Sequence, residues 1–544
     1  MKNPILMQLK AYQERFLKIY AGYYPVTATS LGVYEYNSNF RDFSGGALKN
    51  YLAELKGLEK ELNDFKNDKE LSLDESMDAE LLARKIKLER KELLEFVYFE
   101  RDPSLYVSEA LYGLWYLWMR PLDEGDRIQS LTDRIGKIPA LFAQAKEFLK
   151  EPAKVWVDLA LDEISGLENF LAETLKNLSR VSPAKAKLQE LGEEAAKEIK
   201  SFKKFLTLKF AKAKGDYAIG KKSFEELLKL YHGYSESIAD IEKMGQKALK
   251  ETQKEITELS KKVSGNVAWK SFVGKLKKKH PAYVDLLRTY EAEVEKLKGF
   301  LVQNKIVTIP KYESLRVMDT PLFSRATVPI AAYIDPPLFS KDRTGTFFVT
   351  PPKSAKDSEA LQEHCYASLL ITALHEAYPG HHLQFVYQAN LKSPIRKLFN
   401  CSSYYEGWAL YCEEMLGEQG YYNDEVKIFQ LKDKIWRACR ILVDIGLHTK
   451  KMSIDEAARF IAKETQMSLE SAKADVRWYT QRPTVPQSYL SGMLKIKSLR
   501  EKAQKKWEKK YSLKKFHDWF LKFGAIPLGM IEEALMQGGG ETEE

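Results

Sequence analysis

The segment His375-Glu376-Ala377-Tyr378-Pro379-Gly380-His381-His382 contains three of the eight histidines in a chain of 544 residues. An apolar helical pattern over residues 358–374 leads directly into it. A common zinc-binding helix places its second His four residues after the first, with a Glu beside the first His as general base. Here the fourth position is Pro379. The residue types of such a zinc-binding helix are present, but the standard spacing of four residues between the two histidines is not.

Helix geometry shows what this spacing requires. At about 100° per residue, His381 would point roughly 240° away from His375 on a regular helix, and His382 would lie about 10 Å along the axis. Zn–N bonds are only about 2 Å long. Pro379 lacks an N–H and clashes with the preceding turn, and Gly380 permits unusual dihedral angles. The pair therefore predicts a distorted helix that returns His381 to the ligand position. The alternative is a kinked helix with core histidines.

A third ligand is expected from the next predicted helix. Glu406 follows His375 by 31 residues, and Glu413 lies one heptad later on the same face. The apolar run 408–410 favours ligation by Glu406 over a solvated carboxylate. Glu413 is the alternative ligand, or a group behind a ligand. The set of two His and one Glu favours Zn²⁺, and Mn²⁺ or Co²⁺ could also occupy it.

Other polar residues are candidates for the chemistry around the metal. Glu376 is the expected general base. The candidates for stabilising negative charge on a reacting carbonyl oxygen are Tyr479, Tyr489 and His448, each with a purely structural role as its alternative. Asp444, four residues before His448, could orient a ligand His or form a local helix pair.

The sequence resembles the domain-of-unknown-function 885 family, whose hallmark is H-E-x-x-P-G-H-x-x-Q. The fixed positions of that hallmark are matched by His375, Glu376, Pro379, Gly380, His381 and Gln384. The segments that match further motifs are Glu406–Tyr411, Asp444–His448, and Tyr479 followed by Pro483, Tyr489 and Gly492. In the family pattern an Arg directly precedes the Tyr of the last motif. Trp478 stands there in this chain, so the role of Arg477 is left open.

The resemblance implies a gluzincin-type metallopeptidase, related in architecture to the helical thimet and Taq carboxypeptidase groups. It implies His375, His381 and Glu406 as metal ligands, with Glu376 as the base. We expect His382 either to support the ligands or to contact substrate. The implied fold is mainly α, a large helical zincin-like structure around a deep cleft.

Three regions are expected along the chain. Residues 1–306 show helical periodicity throughout and would form one wall of the cleft. Residues 307–536 would be the catalytic region, with a small β-sheet near 325–350, where Val328–Tyr333 and Thr344–Thr350 have the composition of strands. The second of these could pair with an extended peptide or simply pack on the helices. Residues 537–544 are expected to be a disordered tail.

Composition limits the partners. Lys and Arg number 85 against 76 Asp and Glu, and the charges are interleaved as on solvated helix faces, so we expect no nucleic-acid surface. The longest apolar run, Leu111–Met119, is too short to span a bilayer, and the start of the chain lacks a signal-peptide core. Four cysteines without a paired spacing suggest free thiols. A cytoplasmic location without membrane contact is the expectation, and the oligomeric state is open.

The leading hypothesis is a zinc-dependent metallopeptidase that hydrolyses short peptides, with carboxypeptidase action as one form. A zinc amidohydrolase acting on a specific small molecule would use the same chemistry. A non-enzymatic helical scaffold with a vestigial site is the third reading, and the intact Glu376 argues against it. The sequence leaves the substrate and the cleavage position open.

Overall fold

The computed structural model describes residues 4–68, 70–182, 184–325, 328 and 330–538. These residues form 24 α-helices and three strands, which confirms a mainly α fold with a small sheet. The chain divides into two compact units: the first contains 1–217, 337–342 and 393–395, and the second contains the rest. The main boundary between these units follows Tyr217. The expected division at residue 306 separates a helical wall of the cleft from the catalytic region, and it stays a prediction.

The first unit is built from helices with buried apolar faces. In chain order they are α1 (Pro4–Tyr23), α2 (Pro25–Leu31), α3 (Gly45–Asp68), α4 (Leu73–Lys91), α5 (Tyr98–Arg101), α6 (Ser104–Met119), α7 (Glu124–Phe148), α8 (Lys154–Val181) and α9 (Lys185–Lys209), with a 3₁₀ turn at Tyr34–Tyr36 and a π-helical turn at Glu92–Phe96. A capping box starts α4, because Ser72 accepts from the backbone of Glu75 and the Glu75 carboxylate accepts from the backbone of Ser72.

The second unit contains the remaining helices and the sheet. Its helices are α10 (Gly220–Leu230), α11 (Ile238–Ser264), α12 (Trp269–Leu276), α13 (Leu286–Gln303), α14 (Ser358–Glu363), α15 (Tyr366–Glu376), α16 (His381–Ala389), α17 (Pro394–Leu398), α18 (Ser402–Glu418), α19 (Asp424–His448), α20 (Ile454–Thr465), α21 (Leu469–Tyr479), α22 (Val485–Trp507), α23 (Leu513–Leu521) and α24 (Leu528–Met536). Its 3₁₀ turns are Tyr283–Asp285, Leu322–Ser324 and Glu508–Lys510. Part of α17 belongs to the first unit.

The sheet has three strands, β1 (Ser314–Asp319), β2 (Ala331–Ile334) and β3 (Thr344–Val349), in the order β1-β3-β2. Strand β1 runs parallel to β3 and β2 runs antiparallel to it. The sequence predicted β2 and β3 but not β1, whose side chains are exposed or half-exposed along its length. Because β3 is paired on both sides, the suggestion that a peptide adds to this strand is wrong.

The helix before the central motif is interrupted, although its pattern predicted one helix over residues 358–374. Helix α14 ends at Glu363. The two ring nitrogens of the next residue, His364, lie 3.0 Å from the Thr350 carbonyl oxygen and 3.0 Å from the Tyr290 hydroxyl. Cys365, with a non-helical backbone, then precedes the first residue of α15, Tyr366. These side-chain bonds hold the chain out of helical register, a tertiary effect that periodicity does not contain.

Two glycines bring α18, which contributes Glu406, close to α22. A Cβ on Gly407 would lie 2.7 Å from the carbonyl carbon of Gly492, and one on Gly492 would lie 2.1 Å from the carbonyl oxygen of Ser403. Both distances are too short for any side chain. The close approach sets α18 against α22.

Three further expectations concern composition and the chain end. All four cysteines are buried and free. Among the described residues, no helix combines the length and apolar character needed to cross a membrane. Of the expected disordered tail, residues 539–544 lie outside the described part of the chain.

Candidate metal centre

The Pro-Gly pair breaks the helix completely. Helix α15 ends at Glu376 and α16 begins at His381, with residues 377–380 between them. A Cβ on Gly380 would lie 1.9 Å from the carbonyl oxygen of His375, so only glycine fits there. The predicted distortion is therefore a four-residue break between two short helices.

A second contact fixes this break against α18. The peptide between Tyr378 and Pro379 is cis. The indole N–H of the buried Trp408 donates to the Pro379 carbonyl oxygen at 2.8 Å. Because Trp408 lies two residues after Glu406, the same helix supports the break and supplies the third side chain.

The structure brings His375, His381 and Glu406 together. One donor atom from each lies within 4.8 Å of the others, and all three side chains are buried. Glu406 Oε2 is 3.6 Å from His375 Nε2 and 3.3 Å from His381 Nε2. Two ligand atoms bonded to one tetrahedral zinc at about 2.0–2.2 Å would be separated by about 3.3–3.6 Å. The spacing therefore fits a zinc ion.

Hydrogen bonding also fits a metal at this position. Glu406 Oε2 is buried and forms no hydrogen bond with correct geometry to any described residue. Buried carboxylate oxygens are normally paired, so this atom needs a partner such as a cation. Burial raises the pKa of Glu406, but the neighbouring His381 and His375 outweigh burial and hold it well below its usual range. The carboxylate is ionised and ready to bind a metal.

A second carboxylate holds the other nitrogen of His375. Glu413 Oε1 lies 2.7 Å from His375 Nδ1, and its side chain is 1% exposed. A proton on Nδ1 leaves Nε2 free as a metal ligand, and such an acidic partner orients the ring. Burial lowers the pKa of His375, but Glu406 and Glu413 outweigh it and raise the pKa to about 10, so a metal that binds at Nε2 must displace a proton from this nitrogen. Of the two roles considered for Glu413, the geometry favours support behind a ligand.

Glu376 is adjacent to the triad and free. Its side chain is half-buried, and it forms neither a hydrogen bond nor an ion pair with any described residue. Its charge is among the influences that act on His375. A half-buried carboxylate next to His375 in the sequence, with no partner among the described residues, is available to act as a general base.

Tyr489 is the one predicted oxyanion donor whose pKa is influenced by a residue of the triad. It is half-buried, and burial raises its pKa above the usual value, with the charge of the Glu406 carboxylate as the next influence in the same direction. The guanidinium carbon of Arg440 lies 4.7 Å from its ring centre. The hydroxyl of Tyr479, by contrast, is held by Asp475 and by Arg440 Nε at 2.7 Å.

His448 and Asp444 contribute to a structural network. His448 Nε2 lies 3.1 Å from the Tyr479 carbonyl oxygen and 3.8 Å from Asp444 Oδ1. The Asp444 carboxylate accepts from the backbone N–H groups of Thr484 at 3.3 Å and Gln487 at 3.2 Å. The suggestion that Asp444 orients a ligand His is corrected, because Glu413 fills that place.

His382 faces away from the triad into a second polar cluster. Its Nε2 lies 2.8 Å from a carboxylate oxygen of Glu313 and its Nδ1 lies 3.0 Å from the Tyr333 hydroxyl. Tyr378 and Lys298 also donate to Glu313. Burial would raise the pKa of Glu313, but these partners, His382 first, lower it to about 2. Both nitrogens of His382 are thus engaged, so it supports the site from behind.

Three residues of this region complete the placement. Gln384 is buried on α16, where its amide donates to Gln388 at 2.9 Å. Arg477 lies half-buried in the last turn of α21. Glu313 was not predicted, because a single glutamate before a short strand forms no distinctive local pattern in the sequence.

The family described as "Bacterial protein of unknown function (DUF885)" matches residues 25–535. The chain belongs to this family. No match was found among curated proteins.

Two solved structures share the fold over nearly the whole chain. One is a "putative lipoprotein of unknown function" from Shewanella oneidensis, with 23% identity, a TM-score of 0.79, and coverage of 96% of this chain and 99% of that one. The other is a "putative lipoprotein" from Colwellia psychrerythraea, with 18% identity, a TM-score of 0.80, and coverage of 97% and 98%. At these identities the likeness concerns the fold.

Proposed function

We propose that this member of the DUF885 family is a zinc-dependent metallopeptidase acting on short peptides. The observation that carries the proposal is the spacing of His375 Nε2, His381 Nε2 and Glu406 Oε2, which fits one tetrahedral zinc. Three protein ligands leave a fourth position open, as in catalytic rather than structural zinc sites. Zinc bound there supplies Lewis acidity that activates water and polarises a carbonyl group.

The residues of the chain then have separate tasks. Glu376 takes a proton from the attacking water as the new bond from oxygen to the carbonyl carbon forms, and it passes this proton to the amine nitrogen as the C–N bond breaks. Tyr489 donates to the carbonyl oxygen as that atom becomes negative. Glu413 keeps His375 in the tautomer that presents Nε2.

A zinc amidohydrolase with a specific small-molecule substrate is the second candidate. The same groups would cleave an amide bond in either substrate, so the metal centre supports both functions equally. A vestigial scaffold is disfavoured by the free carboxylate of Glu376, since a structural role for this residue would give it a partner.

The test pairs metal analysis with digestion. Wild-type protein and the Glu376→Gln variant are analysed for zinc and incubated with a library of unstructured peptides, with products read by mass spectrometry. We expect about one zinc in both proteins and cleavage only by the wild type. Full activity in the variant would remove Glu376 from the proposed role, and a zinc-loaded wild type inert on every peptide would contradict the peptidase proposal.

We keep the cytoplasm as the proposed location. The lipoprotein name belongs to the two similar structures, whose likeness to this chain concerns the fold. Fractionation of cells expressing the native gene decides the matter: recovery with the cytoplasmic fraction supports the proposal, and recovery with membranes contradicts it.

A further inference from the structure

Arg437 on α19 is a buried guanidinium without a hydrogen-bond acceptor. Its side chain is 11% exposed, and both Nε and Nη1 are buried without a partner among the described residues. Buried arginines normally use their donors, because a desolvated and unpaired cation costs free energy. A group that keeps such donors free is prepared for a ligand that supplies the missing acceptors.

The nearest acid does not fill this need. Asp433 precedes Arg437 by one turn and lies 3.8 Å from Nη1, beyond hydrogen-bond distance. Asp433 is instead paired with Lys432 at 2.8 Å. The contact balances charge in part but leaves the donors of Arg437 open.

Arg440, one turn further along α19, shows the contrasting case. Its Nε donates to Tyr479 at 2.7 Å, and its Nη2 lies 3.3 Å from Asp475. The ring of Trp436 lies 4.2 Å from the guanidinium carbon of Arg437 and 4.1 Å from that of Arg440. One of two neighbouring arginines therefore donates to protein acceptors, and the other has no acceptor among the described residues.

Packing connects Arg437 to the helices of the metal centre. Helix α19 packs against α15 and α18, which contribute His375 and Glu406. The ring of Trp436 contacts the guanidinium groups of both Arg437 and Arg440, and the guanidinium carbon of Arg440 lies 4.7 Å from the ring centre of Tyr489. A short series of side-chain contacts thus leads from Arg437 to the tyrosine proposed to contact the substrate.

We propose that Arg437 binds the free C-terminal carboxylate of the substrate, which makes the protein a carboxypeptidase. A planar guanidinium pairs with a carboxylate through two parallel N–H···O bonds. The C-terminus is the one carboxylate that every linear peptide carries whatever its sequence. This inference rests on the proposed peptidase function and adds the substrate class and the position of cleavage.

The experiment compares one peptide in two forms, with a free C-terminal carboxylate and with a C-terminal amide. The ratio of kcat/KM for the two forms is measured in the zinc-loaded wild type, Arg437→Met, Arg437→Lys and the matched control Arg459→Met, whose arginine is exposed on α20. We expect the wild type and the control to prefer the free acid by about 10- to 100-fold, the effect of losing a hydrogen bond to a charged group. Arg437→Met should bring the ratio close to one, and Arg437→Lys should give an intermediate ratio.

Three results would overturn the inference. The wild type could cleave both forms equally, Arg437→Met could slow both by one factor as a structural residue would, or the preference could follow an internal Asp or Glu of the peptide. A binding measurement distinguishes failure of this inference from failure of the proposed peptidase function. Calorimetry with the Glu376→Gln protein should show tighter binding of the free acid, and the added Arg437→Met change should abolish that difference. Equal binding of acid and amide contradicts the inference even where no peptide is cleaved.

Discussion

At the scale of single residues, the two tyrosines predicted near the metal have different surroundings. Tyr489 is half-buried, and the charge of the Glu406 carboxylate acts on its hydroxyl, so this hydroxyl is available to a substrate oxygen. Tyr479 is fully buried, with its hydroxyl fixed by Asp475 and Arg440. A donor for developing charge must be free to face the reacting atoms, which favours Tyr489.

Phenylalanine at each position tests this difference. Tyr489→Phe should lower kcat by about 100-fold, the typical cost of removing one oxyanion donor, with zinc content and melting temperature nearly unchanged. Tyr479→Phe should instead lower the melting temperature, because it removes the buried hydroxyl that donates to Asp475 and accepts from Arg440. Peptide-cleavage kinetics and thermal melts distinguish the two. An equal loss of kcat in both variants would argue against a special role for Tyr489.

The predictable part of the site consists of residues with a distinctive local pattern. His375, His381 and Glu406 follow from three clustered histidines and a glutamate in an apolar helix. The sequence suggested that Asp444 orients a ligand histidine, a role that Glu413 fills in the structure. Each of the two acids lies on a helix with other polar candidates, and only packing decides which one reaches a ligand. Glu313 has no local pattern, and its partners are brought to it by the fold.

At the scale of elements, the break between α15 and α16 brings the backbone of Gly380 so close to the His375 carbonyl group that no residue with a side chain fits at position 380. The sequence predicted an irregularity at Pro379-Gly380 but treated it as a bend in one helix. The structure shows two separate helices, with Gly380 lying against the His375 carbonyl group in the break between them. The position of a proline can be read from a sequence, whereas the distance between two backbone segments depends on tertiary packing.

Gly380→Ala should therefore damage the metal centre itself. A Cβ at 1.9 Å from His375 O forces the backbone apart, at a cost of about 1–3 kcal/mol or more in the free energy of unfolding. The displaced His381 should also weaken zinc binding. Gly299→Ala is the control, since an added Cβ meets nothing within 4 Å there and should stabilise α13 by about 0.5–1 kcal/mol. Denaturant unfolding and zinc content measure both effects. Normal zinc binding by Gly380→Ala would contradict the steric argument.

At the scale of the whole molecule, buried neutral histidines connect stability to pH. Burial lowers the pKa of His232 to about 3 and that of His517 to about 4, from an ordinary value of 6.5. His517 bridges the Tyr411 hydroxyl and the Ile306 carbonyl oxygen, each at 2.8 Å. Below about pH 6.5 these two histidines bind protons in the unfolded chain but stay neutral in the folded chain, so acid favours unfolding.

The predicted slope follows from this difference. Each histidine should remove up to about 1.4 kcal/mol of unfolding free energy per pH unit as the pH falls from about 6 towards 4. His517→Gln should reduce the dependence of the unfolding free energy on pH by the contribution of one histidine. The control is His280→Gln, since the ring of His280 is half-buried. Urea unfolding at a series of pH values gives the slopes. A wild-type stability that is flat over this range would contradict the assignment.

The helical architecture was predictable from its periodicity, and the strands β2 and β3 from their β-branched composition. Strand β1 was not, because Leu315 and Val317 alternate with polar residues over only a short stretch and no side chain of the strand is buried. The interruption at His364 was missed for a related reason, since hydrogen bonds to Thr350 and Tyr290 outweigh a continuous helical pattern. Long-range contacts decide both cases.

The most direct measurement of the central claim is anomalous diffraction at the zinc edge from crystals of the wild-type protein grown with zinc. We expect one strong peak about 2.0–2.2 Å from His375 Nε2, His381 Nε2 and a Glu406 oxygen, with His382 still bound to Glu313. A zinc peak coordinated by His382, or no peak among His375, His381 and Glu406, would contradict the account.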